Sequence, residues 1–321
     1  MKCPQDFRGS LILGRGRVRE VGVPTEAAQR ATRNAQSFHF RCALTVVRCA
    51  ILMMASVFIA PDTYAFDGAA EKPKKIVSIN LCTDELLLQL VEPERVAALT
   101  KFSADPEVST VASRVKDIKK IQGGIEAVQA CGPDLLVGGK FSHKETLRFF
   151  GRSGIPVLTL GLPRNFEDIY TDIRKLAEAV GETARGDQVV REMRSDLAEL
   201  RPDTGSKKKA FFFQSGGLVP GSGTFENAIM DAAGLENLAA TIDIRDYGSL
   251  SLEKLIEMKP DVLIFSSDQK KKPTIRGEVL SHPAIKKALP RVKTVTLPSA
   301  ILNCGSPASV EAVRILVEET K

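Results

Sequence analysis

The chain is 321 residues long, 43% apolar and 26% charged, enough for about two globular domains. Its net charge of +6 points to a polyanion partner only until the charge is located: residues 1–65 hold nine Lys/Arg against four Asp/Glu, and the remainder holds 36 against 35. The basic excess is confined to the leader, so the rest of the chain offers no electrostatic case for nucleic acid.

Within the leader, Arg41 and Arg48 precede a twelve-residue apolar run, Cys49 to Ala60. As a helix it would reach about 18 Å, short of a hydrocarbon core of roughly 30 Å. Thr63-Tyr64-Ala65 follows as a small-residue site, so the segment reads as a secretory signal peptide cleaved near Ala65/Phe66. Export to the periplasm leaves three cysteines, Cys82, Cys131 and Cys304. In an oxidising compartment these allow one disulfide plus a free thiol, or three buried thiols. No small-residue run precedes a Cys at the end of the apolar segment, so a soluble protein is expected rather than a lipid-anchored one.

From Lys74 strands and helices alternate. KKIVSIN is a short strand, and Thr83 or Asp84 can cap the helix DELLLQLV after it. VAALT reads as a second strand, DLLVGG and PVLTLG as further ones, with helices over IEAVQA and KETLRFFGRSG. FEDIYTDIRKLAEAV is helical. TARGDQVVREMRSDLAEL continues without an internal proline, its apolar residues spaced by three and four along one stripe. Alternation then restarts: KAFFF (strand), GTFENAIMDAAG (helix), LEKLIEM (helix), DVLIF (strand), HPAIKKAL (helix), VKTVTLP (strand) and SPASVEAVRILVEET (helix). This pattern predicts an α/β protein with parallel-rich sheets. The predicted organisation is a leader over 1–65, an α/β lobe over 66–181, a connecting helix over 182–202 and a second α/β lobe over 203–321.

One phrase occurs twice. In IEAVQACGPDLLV and in LEKLIEMKPDVLI a glutamate, Glu126 or Glu253, stands seven residues before a Pro-Asp pair and an apolar strand. A helix packed on its following strand runs antiparallel to it, so its N-terminus lies level with the strand's C-terminal edge, where open α/β sheets bind ligands. Each glutamate is therefore expected on the ligand-side rim of its lobe. It either complements its helix dipole or meets an arginine of a partner.

The order IVSINLCTDELLLQL, the two Glu…Pro-Asp phrases, the long connecting helix, HPAIKKALPRV and NCGSPASVEAVRIL resembles the periplasmic substrate-binding proteins of ABC importers for cobalamin and ferric siderophores. The resemblance implies two Rossmann-like lobes joined by one rigid helix, with ligand held between them; the residues themselves offer no catalytic motif and no bare-metal cluster. It implies a monomer that docks Glu126 and Glu253 onto arginines of an ABC permease dimer served by its ATPase. The ligand class implied is an iron chelate, siderophore or haem, or a corrinoid.

Strand ends then nominate the ligand contacts: Asn80, Cys82, Thr83, Lys101, Phe102, Lys140 and Phe141 in the first lobe. In the second they nominate Gln214, Phe225, Tyr247, Ser267 and Asn303. Cobalamin binders of that family use several aromatics, Trp prominent among them; this chain has no Trp. Lys101 and Lys140 could meet an anionic ligand. Relatives that bind bare metal use His clusters, whereas His143 and His282 stand far apart, and His282 is expected to open a helix. Cys82 and Cys304 fall on cleft-side loops of different lobes; a disulfide between them needs Cα atoms within about 7 Å and would restrain lobe opening. Two other classes remain open: a secreted α/β enzyme, for which no G-x-S-x-G or phosphate-binding glycine motif is found, and a binding protein serving a sensor receptor.

Overall fold

The computed structural model describes residues 71–202, 205–214, 218–267, 278–279 and 281–321. The proposed signal peptide lies outside the described residues. The first strand, β1 (Ile76–Ser78), leads into helix α1 (Leu81–Leu90). The cap of α1 is Asn80, not Thr83 or Asp84: its side-chain oxygen accepts from the Cys82 and Thr83 amides at 3.0 and 3.4 Å. Thr83 and Asp84 are inside the first turn and buried, the Thr83 hydroxyl bonded to that of Ser78 and Asp84 Oδ2 accepting from Thr100.

The chain continues through β2 (Val96–Thr100), β3 (Lys120–Ile121), α2 (Ile125–Gln129), β4 (Leu135–Gly139), α3 (Lys144–Arg152) and β5 (Val157–Leu160). The five strands form one parallel sheet in the order β3-β2-β1-β4-β5. Helix α4 (Phe166–Ala179) is capped by Asn165, and α5 (Thr183–Leu200) is the connecting rod. Val189, Val190 and Met193, spaced by one and three, form its buried stripe. The rod presses closely on α4 at Gly186, where a Cβ would sit 2.4 Å from the Ala177 Cβ. Arg95 ties the first lobe to the start of α5: it donates to the Pro73 and Val180 carbonyls and to Glu182.

Beyond the rod come β6 (Lys208–Phe213), β7 (Leu218–Pro220), α6 (Phe225–Ala232), β8 (Leu235–Asn237), α7 (Leu238–Thr241) and β9 (Tyr247–Ser249). After them follow α8 (Leu252–Met258), β10 (Val262–Ser266), α9 (Pro283–Ala288), β11 (Lys293–Leu297) and α10 (Ser309–Thr320). A second parallel sheet has the order β11-β10-β6-β8, and β7 pairs with β9 as an antiparallel ribbon. The protein is thus α/β, with two sheet-bearing lobes. Phe211, Phe212 and Phe265 are fully buried on the second sheet; each contributes about 1.5–3 kcal/mol by leaving water.

The duplicated Pro-Asp has a structural role in both lobes. Asp134 accepts from the Lys74 and Lys75 amides beside β1, and its own amide donates to the Lys75 carbonyl. Asp261 does the same at Lys209 of β6. Each aspartate fastens the start of its strand to the neighbouring one.

Candidate ligand cleft

The C-terminal ends of β1, β4, β5 and β10 converge on one cavity of about 440 Å³ between the lobes. Such a volume lies within the roughly 300–1,000 Å³ of small-molecule sites. On the first lobe Asn80, Cys82 and Thr83 at the start of α1 line it, with Lys140 and Phe141 after β4. On the second lobe Gln214, Phe225, Tyr247 and Asn303 line it.

Three nominated residues lie outside this lining. Lys101 and Phe102 follow β2, which the strand order places on the far side of β1 from β4 and β5; Phe102 is 54% exposed on a short 3-10 turn. Ser267 stands one residue past the end of β10, where side-chain direction alternates. Its hydroxyl accepts from the Ser299 amide, and Ser266 lines the cavity instead.

The sequence reading missed Leu160 to Arg164, Asp172, Glu226 and Asp246. The first of these follow β5, a strand end that the same rule would have found had β5 been taken in place of β2. Asp246 and Tyr247 are brought to the cleft by the β7–β9 ribbon, whose short strands carry no alternation to read.

The cavity wall is mixed. Phe141 and Leu162 are large apolar groups exposed at 68% and 69%. Glu226 is buried and accepts from the Tyr247 hydroxyl at 3.1 Å and from the Gln214 side-chain amide. Burial raises its carboxyl above the usual range, and burial together with Glu226 pushes the Tyr247 phenol up to about 12. Asp172 is also raised by burial, opposed by Lys175.

Cys82 and Cys304 form a disulfide with Cα atoms 5.0 Å apart, joining the lobes beside the cavity; Cys131 is free. Asn303 adds a second tie, its side-chain amide donating to the Val108 carbonyl at 3.1 Å.

Glu126 and Glu253 are both exposed, and neither lines the cleft. Each stands in the first turn of its helix, α2 capped by Gly124 and α8 by Ser251, whose hydroxyl accepts from the Lys254 amide. The Glu253 carboxyl is held low by its own backbone amide and by Ser251. Glu126 borders a separate hollow with His143. His282 caps α9, its Nδ1 accepting from the Ala284 amide at 3.3 Å. Among the described residues no three His, Cys, Asp or Glu side chains gather to hold a metal, and no helix is long and apolar enough to cross a membrane.

A family model described as "Periplasmic binding protein" matches residues 76–295. An uncharacterized ABC transporter substrate-binding lipoprotein of Bacillus subtilis is 26% identical over 213 residues, 63% of this chain and 66% of its own length. A cobalamin-binding protein of Halobacterium salinarum is 24% identical over 198 residues, 60% of this chain and 54% of that one. The matched region is less than two thirds of either relative. The crystal structure of a periplasmic heme-binding protein, HutB of Vibrio cholerae, superposes with a TM-score of 0.65 at 21% identity, covering 76% of this chain and 97% of that one. At that identity the likeness is one of fold.

Proposed function

The chain belongs to the periplasmic binding protein family, and from that premise we propose that it captures a metal chelate outside the cytoplasmic membrane for an ABC importer. The chelate is a siderophore, haem or a cobalamin-like corrinoid. The observation that carries this reading is the cavity walled by strand ends of two separate sheets, where a ligand touches both lobes at once. The names of the Bacillus, Halobacterium and Vibrio proteins point to the same ligand class and to transport. We take 66–181 and 203–321 as the two lobes and the segment 182–202 as their brace. The family works outside the membrane, which agrees with the signal peptide read in the leader.

Delivery runs through Glu126 and Glu253. Each opens the helix that precedes a central strand, β4 or β10, whose far end reaches the cleft. Antiparallel packing therefore sets both carboxylates on the cleft-side rim, one per lobe. A two-fold permease offering two arginines would grip both, and each grip would be a charge-assisted, bidentate contact. A continuous helix and the Cys82–Cys304 bond hold lobe motion to a small rotation. Among the described residues no three His, Cys, Asp or Glu side chains gather to hold a bare ion, so on this reading iron or cobalt arrives already wrapped by its chelator.

The test pairs binding with uptake. Calorimetric titration with a ferric siderophore panel, hemin and cyanocobalamin identifies the ligand. Converting Glu126 and Glu253 together to Ala should abolish uptake while leaving ligand affinity within about twofold, a fraction of a kcal/mol. A large loss of affinity in that variant would place the two carboxylates in the ligand site and sink the docking role.

A further inference from the structure

The charges that line the cleft are unevenly committed. Its lining cations among the described residues are Lys140 and Arg164, both on the first lobe; its lining carboxylates are Asp172, Glu226 and Asp246. Asp172 is mostly buried with Lys175 at 3.8 Å, and Glu226 is taken up by Tyr247 and Gln214. Asp246 is different. Its Oδ1 reaches across the cleft to the Arg164 Nη2 at 3.3 Å, and both side chains remain more than 60% exposed.

The backbones under this pair are fixed. The Arg164 amide donates to Asp168 Oδ2 at 2.8 Å, and the next residue, Asn165, caps α4. Asp246 has a left-handed φ of 53° and is held through its amide and carbonyl by Ser222 and Gly221. Gly223 lies beneath the guanidinium: a Cβ there would sit 3.4 Å from the Arg164 Nη1. Two anchored main chains therefore present an exposed, exchangeable contact. An exposed ion pair of this kind is worth about 0–1 kcal/mol, whereas an arginine holding a carboxylate through two parallel hydrogen bonds in a partly desolvated cleft is considerably stronger.

We propose that Arg164 and Asp246 form an exchangeable latch between the lobes, and that the ligand's recognition group is a carboxylate that takes the place of Asp246 on Arg164. The inference rests on the chelate-binding reading above and narrows it, from any metal chelate to one bearing free carboxylates. The disulfide at Cys82 joins the lobes permanently; the latch joins them only until an acidic ligand displaces it. Asp246 then sets a threshold, because an incoming anion must outcompete it.

The experiment titrates the full chain, with its disulfide intact, against hemin, hemin dimethyl ester, ferric citrate and cyanocobalamin by calorimetry. Hemin or ferric citrate should bind. Arg164→Gln should weaken that binding about tenfold, and Asp246→Asn should tighten it by about threefold, since the competing anion is gone. Neither substitution should change binding of the dimethyl ester, whose carboxylates are blocked. An Arg164→Gln protein that keeps the parent's affinity for the carboxylate ligands overturns the inference. So does an Asp246→Asn protein with unchanged or weaker affinity for them. Binding of cyanocobalamin alone overturns the carboxylate latch and leaves the chelate-binding reading standing. Failure of all four ligands overturns the latch; failure of the ferric siderophore panel as well overturns both.

Discussion

Asp84 sits in the first turn of α1 with no exposure, its Oδ2 accepting from the Thr100 amide and hydroxyl and its Oδ1 without a partner among the described residues. Burial pushes this carboxyl up to about 7, with Ser78 and Thr100 pulling the other way. Below about pH 4 the group is protonated folded or unfolded. As pH rises from about 4 to about 7 the folded chain holds the proton more tightly than the unfolded chain, so the contribution to stability falls through that window and is level above it. The loss is at most about 4 kcal/mol. Asp84→Asn keeps an acceptor for Thr100 and carries no charge. Urea melts at pH 5 and pH 7.5 should show the variant gaining on its parent at the higher pH by about 1 kcal/mol or more; an equal gap at both would refute the assignment. At this scale the sequence is only partly legible. It offered Thr83 or Asp84 as the cap because both types cap helices, and only the fold shows both facing inward with Asn80 left to do it. The nomination of Ser267 is off by one position from Ser266, which lines the cavity, since a strand end one residue off sends the side chain to the other face.

The elements with a strong period were readable and the brief ones were not. Helix α5 covers the eighteen residues Thr183–Leu200 that the uninterrupted three-and-four spacing predicts. Strands β3, β7, β8 and β9 are two or three residues long, and only their partners make them strands. That is why the ribbon, and with it Asp246, could not be foreseen, although Tyr247 was nominated for the cleft it reaches. Nor does helical period reveal how closely two helices approach. Gly186 allows α5 to press on Ala177 of α4, an approach that leaves no room for one methyl group. Gly186→Ala should therefore destabilise the protein by about 1–3 kcal/mol through overpacking, although alanine is the better helix former by about 1 kcal/mol. Chemical denaturation reads the sign: a variant more stable than its parent would mean that the helices separate freely.

For the molecule as a whole, the duplicated Glu…Pro-Asp phrase and the restart of strand–helix alternation after the rod made the two-lobe plan visible, while the route across it was hidden. Which cysteines meet depends on distances that no local pattern carries, and so the sequence left the pairing open. In the structure Cys82 and Cys304 are 222 residues apart in sequence and bonded. Closing so long a loop restricts the unfolded chain, by about 5 kcal/mol in the chain-entropy model and commonly by 2–4 kcal/mol as measured. Replacing both by Ser should lower unfolding free energy by that order, and a reductant should bring the parent down to the variant's level. Parent and variant of equal stability under oxidising conditions would remove the bond from the account of what holds the lobes together.

The span of that crosslink bears on how the protein is made. On the proposed export route the amino-terminal half emerges first, and Cys82 encounters Cys131 well before Cys304 arrives. The thiol left over in the finished molecule is thus the earliest rival for the native partner. Any Cys82–Cys131 bond made on first encounter must be undone by thiol exchange before the native one forms, and the yield of native protein then depends on how readily its compartment shuffles disulfides.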